Sequence, residues 1–138
     1  MLYRGTTPYH SFILPLSVED ISAIYITYMQ NNKIIVEKTI NDIELHNVDT
    51  IESGIVDTNT GDSIDSNNVT IDGLDEITTA CSAIVHLTQE DTLGFTFWPA
   101  AEKNIAVIQI RVLTSDNEAY TSEPINERIY GVLKDGVI

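Results

Sequence analysis

The chain has 138 residues, with 21 Asp or Glu against seven Lys or Arg, and a formal charge of −14 sets it against direct contact with phosphate backbones or anionic lipid. An apolar share of 43% is that of a globular protein, and no apolar run approaches the ~20 residues of a membrane-spanning helix. A single cysteine, Cys81, excludes an internal disulfide and argues against structural zinc. The expectation is therefore one domain over residues 1–138, held by its apolar core and without a cofactor. The opening Met1-Leu2-Tyr3-Arg4-Gly5-Thr6-Thr7-Pro8 lacks the basic and apolar segments of a secretion signal, which points to folding in a cytoplasm.

In chain order, Ser17-Val18-Glu19-Asp20 places a hydroxyl three residues ahead of an acid and predicts a one-turn helix. From Ala23 to Gln30, Ile24, Ile26 and Tyr28 alternate with Tyr25, Thr27 and Met29, the pattern of a central strand. Asn31-Asn32 suits a type I′ turn, since Asn tolerates positive φ, and predicts a hairpin to Lys33–Thr39. Residues 53–79 are rich in Ser, Thr, Asn, Asp and Gly, with short apolar clusters at Ile55-Val56 and Val69-Thr70-Ile71. They read as a long hairpin or loop inserted into the domain. No Lys or Arg occurs between Lys38 and Lys103, so the middle of the chain predicts an acidic face or loop.

Thr88-Gln89-Glu90-Asp91 predicts a second one-turn helix, with Gly94 closing it in a left-handed conformation and Phe95-Thr96-Phe97-Trp98 extended up to Pro99. In Asn104–Thr114, Ala106, Ile108, Ile110 and Val112 alternate with a face carrying Gln109 and Arg111, so the first set points into the core. Asp116-Asn117 predicts a turn of the same kind as Asn31-Asn32, leading to Glu118–Ser122. Pro124–Ile138 reads as a closing strand with an exposed tail at 134–138. Together these elements predict an all-β fold, a single Ig-like or jelly-roll-like antiparallel sandwich with one or two one-turn helices.

Catalytic and metal signatures are scarce. Asp57-Thr58-Asn59-Thr60-Gly61-Asp62 resembles an EF-hand loop, but Gly61 is fifth and Asn68 twelfth where Gly at six and Glu at twelve are needed. A looser calcium set of Asp57, Asn59, Asp62 and Asp65 is weighed against a solvated acidic loop, which is the preferred reading. His10, His46 and His86 are too far apart in sequence to share a metal by local spacing. Cys81 and His86 are five apart on an extended segment, which sends them to opposite faces, whereas a thiol nucleophile needs its base within reach. Adjacent Glu90 and Asp91 do not meet the separation glycoside hydrolysis requires. There is no Gly-rich phosphate loop and no nucleophile elbow. Among the aromatics Tyr3, Tyr9, Tyr25, Tyr28, Phe95, Phe97, Trp98, Tyr120 and Tyr130, core packing is expected for most, and a sugar platform needs some of them exposed on one sheet face. The expectation is a structural or binding protein, not an enzyme.

Several segments carry a family resemblance: Arg4-Gly5-Thr6-Thr7-Pro8, Phe12-Ile13-Leu14-Pro15-Leu16, Leu87-Thr88-Gln89-Glu90-Asp91-Thr92-Leu93, Gln109-Ile110-Arg111-Val112-Leu113-Thr114 and Val132-Leu133-Lys134-Asp135-Gly136-Val137-Ile138. The chain is similar in these to small proteins of bacteriophages and prophages of Gram-positive gut bacteria, associated with particle structural genes, and it resembles the β-sandwich N-terminal domains of phage baseplate proteins. It departs from that pattern between about Asn47 and Ser82, where it is longer. The resemblance implies a virion protein, found in particles and in the host cytoplasm during assembly, which docks in many symmetric copies on capsid, portal or neck, or tail subunits. It transfers no functional residues. The apolar tail residues Leu133, Val137 and Ile138 are candidates for an interface that adds a strand to a neighbour. The alternatives are an acidic effector that inhibits a host protein and a glycan-binding module on the particle surface.

Overall fold

The computed structural model describes residues 2–51, 54–56, 65–68, 80–97 and 104–131. They form eleven strands: β1 (Leu2–Tyr3), β2 (Tyr9–Leu14), β3 (Ile21–Gln30), β4 (Lys33–Thr39), β5 (Ile43–Ile51), β6 (Gly54–Val56), β7 (Asp65–Asn68), β8 (Ala80–His86), β9 (Ile105–Thr114), β10 (Ala119–Thr121) and β11 (Ile125–Tyr130). A five-residue helix, α1, spans Gln89–Leu93, and single 3-10 turns occur at Val18–Asp20 and Ile40–Asp42. The first sheet has the order β1-β11-β9-β3-β4, with β10 also paired to β9, and the second has the order β6-β5-β8-β2-β7. The fold is all-β.

The alternation in β3 and β9 sets the frame. Their ladder is antiparallel, with Ile24 opposite Val112, Ile26 opposite Ile110 and Tyr28 opposite Ile108, and all six side chains are buried. Phe12 and Leu14 of β2 join Cys81, Ala83 and Val85 of β8 in the same apolar cluster, so the two sheets share one core. Each large aliphatic or aromatic side chain so buried contributes roughly 1.5–3 kcal/mol. A polar contact joins the two sheets: His10 Nδ1 of β2 lies 2.7 Å from the Tyr28 hydroxyl of β3. Burial, and then the charge of Asp91, raise the Tyr28 pKa, so this phenol keeps its proton.

Asn31 (φ 53°) and Asn32 (φ 62°) are both left-handed, as a type I′ hairpin between β3 and β4 requires. The β9–β10 hairpin forms where expected but by a different turn. Only Asn117 (φ 63°) is left-handed there, the Asn117 N–H donates to Thr114 O at 3.0 Å, and the Thr114 N–H donates to Glu118 O at 2.9 Å. A longer loop with one left-handed residue replaces the expected type I′ pair. Interior ladders are antiparallel, whereas two edge pairings, β1 with β11 and β2 with β7, are parallel. The 53–79 stretch is more than an appended loop, because two of its segments extend the second sheet at opposite edges, β6 against β5 and β7 against β2. Its remaining residues, and the predicted tail at 134–138, lie outside the described residues.

Both one-turn helices form. At Val18–Asp20 the Ser17 hydroxyl makes no cap bond to the backbone and instead donates to the Glu19 carboxylate, so the box with Asp20 is absent. The box before α1 is complete: the Thr88 N–H donates to Asp91 Oδ2 at 2.9 Å, and the Asp91 N–H donates to Thr88 Oγ1 at 3.1 Å. Gly94 is right-handed (φ −67°), contrary to expectation, and its need for glycine is steric, since a Cβ there would stand 2.9 Å from Ile35 Cγ2. Residues 95–97 join no ladder; this segment, expected to be extended, bends at Phe95 and runs as a strap across one end of the core.

Non-local bonds hold that strap. The Arg4 guanidinium donates to Phe95 O at 2.6 Å and to Leu93 O at 3.3 Å. The Gln30 carboxamide imitates a strand partner, donating to Thr96 O at 2.9 Å and accepting from the Thr96 N–H at 2.8 Å. Thr92 Oγ1 donates to Thr6 O at 2.8 Å, and the Leu87 N–H donates to Pro8 O at 3.0 Å. Residues Arg4–Pro8 and Leu87–Leu93 thus lock to each other.

Asp91 links this region to β4 through a 2.9 Å ion pair with Lys38. Burial raises its pKa, but bonds from the Thr88 amide and the Lys38 ammonium outweigh that and hold the carboxyl below its ordinary 3.8. A depressed folded-state pKa gives stability that is present above 3.8 and lost as pH falls through the folded-state value. Asp91→Asn should therefore lower stability at neutral pH and narrow its gap to the parent protein in acid. Urea unfolding of both proteins at pH 7 and below 3.8 measures this, and a gap that stays constant with pH would rule out the role given to Asp91.

Candidate functional site

The residues that β3 and β9 do not send into the core define an outer face on the first sheet. Register places Tyr25 opposite Arg111, Thr27 opposite Gln109 and Met29 opposite Val107. Ile34 of β4 stands opposite Met29, and Leu113 of β9 opposite Ala119 of β10. On the other flank Ile129 and Leu2 turn inward, which leaves Arg128, Tyr130 and Tyr3 on the same outer face.

This face is apolar and aromatic at its surface. Tyr3 is 41% exposed, Tyr25 38%, Ile34 56% and Leu113 37%. Arg111 lies over the Tyr25 ring at 5.2 Å and Arg128 over the Tyr130 ring at 5.7 Å, while Tyr3 stacks on Tyr130 at 5.1 Å. Cation–π pairs at exposed sites are worth about 0.5–1 kcal/mol each, enough to hold the guanidinium groups flat on the sheet. Glu37, 3.7 Å from Arg111, also accepts from Thr27 Oγ1 at 3.3 Å. Two arginines and the Glu37 carboxylate share this face, and Glu118, which accepts from the Tyr120 hydroxyl at 2.6 Å, stands beside its groove. A shallow groove of about 190 Å³ runs between Tyr25, Arg111, Leu113, Ala119 and Thr121.

A second concavity, about 420 Å³ and open to solvent, is lined by Thr7, His86, Thr88, Gln89 and Glu90. Tyr9 stacks on the His86 ring at 4.1 Å with an interplanar angle of 7°. The opposite face of the second sheet at β2 and β8 ends on this pair, because Tyr9 and His86 are register partners.

The residues singled out from sequence fall into separate places. Asp57, Asn59 and Asp62 lie outside the described residues, as do Leu133, Val137, Ile138 and Trp98, and of Asp65 only its place at the start of β7, opposite His10, is described. Among the described residues no three His, Cys, Asp or Glu side chains are grouped to hold a metal ion. The histidines stay apart in role: His10 is buried against Tyr28, His46 faces Glu44 at 3.7 Å, and His86 is stacked on Tyr9. Cys81 points into the core while His86 is exposed, so no thiol–imidazole pair forms. Burial, and then the charge of Glu19, push the Cys81 thiol up to about 12, which keeps it protonated at neutral pH. Glu90 lines the groove and Asp91 caps α1, so this acid pair is divided between two tasks. Tyr28 and Phe95 are core residues and Phe97 and Tyr120 pack against the core, while Tyr3, Tyr9 and Tyr25 are exposed. Comparison with protein-family models, curated proteins and solved structures finds no match to this chain.

Proposed function

We propose that this chain is a non-catalytic structural subunit of a bacteriophage particle and that it docks on a neighbouring protein subunit through the outer face of its first sheet. The observation that carries the reading is the clustering of Tyr3, Tyr25, Ile34, Leu113 and two tyrosine-backed arginines on one flat face of an otherwise acidic protein. Tyr and Arg are the residues that interface centres favour, since each presents a large, rigid contact area together with hydrogen-bonding capacity. The two guanidinium groups give this face donors and positive charge to set against carboxylates of an approaching subunit.

The strand order supports the Ig-like form of the sandwich over the jelly roll. β11-β9-β3-β4 on one sheet and β5-β8-β2 on the other follow the GFCC′ and DEB order of variable-type Ig domains. A protonated, buried Cys81 and the scattered histidines support a role without catalysis. The particle assignment itself rests on the segments that resemble phage structural proteins. Mass spectrometry of purified particles from the phage or induced prophage that encodes the chain tests it. The chain should be found there in fixed ratio to the major capsid protein, and its absence would refute the particle role.

A further inference from the structure

We propose that the groove formed by Thr7, His86, Thr88, Gln89 and Glu90 is a binding site for neutral saccharide. This goes beyond docking through the first sheet and uses none of that face's residues.

A sugar ring offers a C–H face, which packs on a flat aromatic wall, and a rim of hydroxyls, which needs closely spaced donors and acceptors. The groove provides both. His86 is its aromatic wall, and the imidazole is held flat from behind by Tyr9 at 4.1 Å and 7°. The hydroxyls of Thr7 and Thr88, the Gln89 carboxamide and the Glu90 carboxylate supply mixed donors and acceptors. A volume of about 420 Å³ falls within the range of roughly 300–1,000 Å³ seen for small-ligand sites. The openness of the groove suits one or two units of a longer chain over an enclosed metabolite. Charge selects the class: Glu90 in the groove and −14 on the whole chain disfavour phosphorylated or carboxylated sugars.

The site is also rigid where it must be. Thr88 is fixed by its capping box with Asp91, and Leu87, between His86 and Thr88, is tied to Pro8 by a 3.0 Å backbone bond. Gln89 and Glu90 are the two lining residues within α1, and their side chains take no part in that box, so they can be changed without disturbing it.

The test is a ¹⁵N-edited NMR titration of the full chain with neutral tetrasaccharides (chito-, cello- and malto-series) and with polygalacturonate as an acidic probe. Shifts at His86, Gln89 and Glu90 are expected with at least one neutral probe, with a Kd of about 1 mM or tighter. Gln89→Ala and His86→Ala should each weaken that binding at least tenfold with an unchanged thermal melt, and Tyr25→Ala on the far face should leave it intact. No shift with any neutral probe, binding unchanged in both groove variants, or preference for polygalacturonate would each overturn the proposal.

Discussion

Phe95→Ala is expected to destabilise the protein by about 3–5 kcal/mol, the range for truncating a fully buried aromatic side chain. Phe95 is 1% exposed and meets the Tyr28 ring edge-on at 6.2 Å, so its removal opens a void beside the His10–Tyr28 contact between the sheets. The void cannot readily collapse. Arg4 and Gln30 fix the backbone on either side of residue 95, and Gly131 presses on Phe97, where a Cβ at Gly131 would stand 2.6 Å from the ring. A cavity whose walls are held apart costs more than the lost transfer energy alone. Thr96→Ala is the control, because the Thr96 side chain is exposed and its two bonds to Gln30 run through the backbone, so less than about 0.5 kcal/mol is expected. Urea unfolding with a shared m-value measures both. A cost under about 1 kcal/mol for Phe95→Ala would show that the strap is not part of the core.

How far the fold could be read from sequence depended on whether a strand buries one face or two. β9 and β3 each keep a wet face, and their two-residue period marked both strands and their inward residues. β2 and β8 are buried on both faces, with Ser11 and Ser82 as inaccessible as Phe12 and Ala83, and such strands carry no alternation. The Asn31-Asn32 turn and the Thr88–Asp91 box were legible because their chemistry is local. The Gly94 contact with Ile35 and the Arg4 bonds to Leu93 and Phe95 join residues 59 or more apart in sequence, and nothing in the local pattern reports them. The same holds for the site. Tyr25 and Arg111 were already on the non-core faces of their strands, but their pairing needed the β3–β9 register. The Tyr3–Tyr130–Arg128 cluster needed a parallel contact between a two-residue strand and the last strand described.

The largest functional effect is expected from reversing the two guanidinium groups of the outer face. Both lie on tyrosine rings at the surface, and the Arg111 side chain is 52% exposed, so Arg111→Glu with Arg128→Glu should cost the fold roughly 1–2 kcal/mol in all, the two cation–π contacts and the Glu37 pairing, and leave it folded. At a docked interface the same change removes two contacts of the type that dominates binding and sets new carboxylates against the partner. A loss of roughly 2 kcal/mol or more follows, about thirty-fold in affinity. The decisive measurement is the copy number per particle, by quantitative mass spectrometry, of the double variant and the parent chain supplied in trans to a phage lacking the gene. Docking through the first sheet predicts a parent chain at full occupancy and a well-folded variant largely missing from the particles. Equal occupancy of the two would contradict docking through that face.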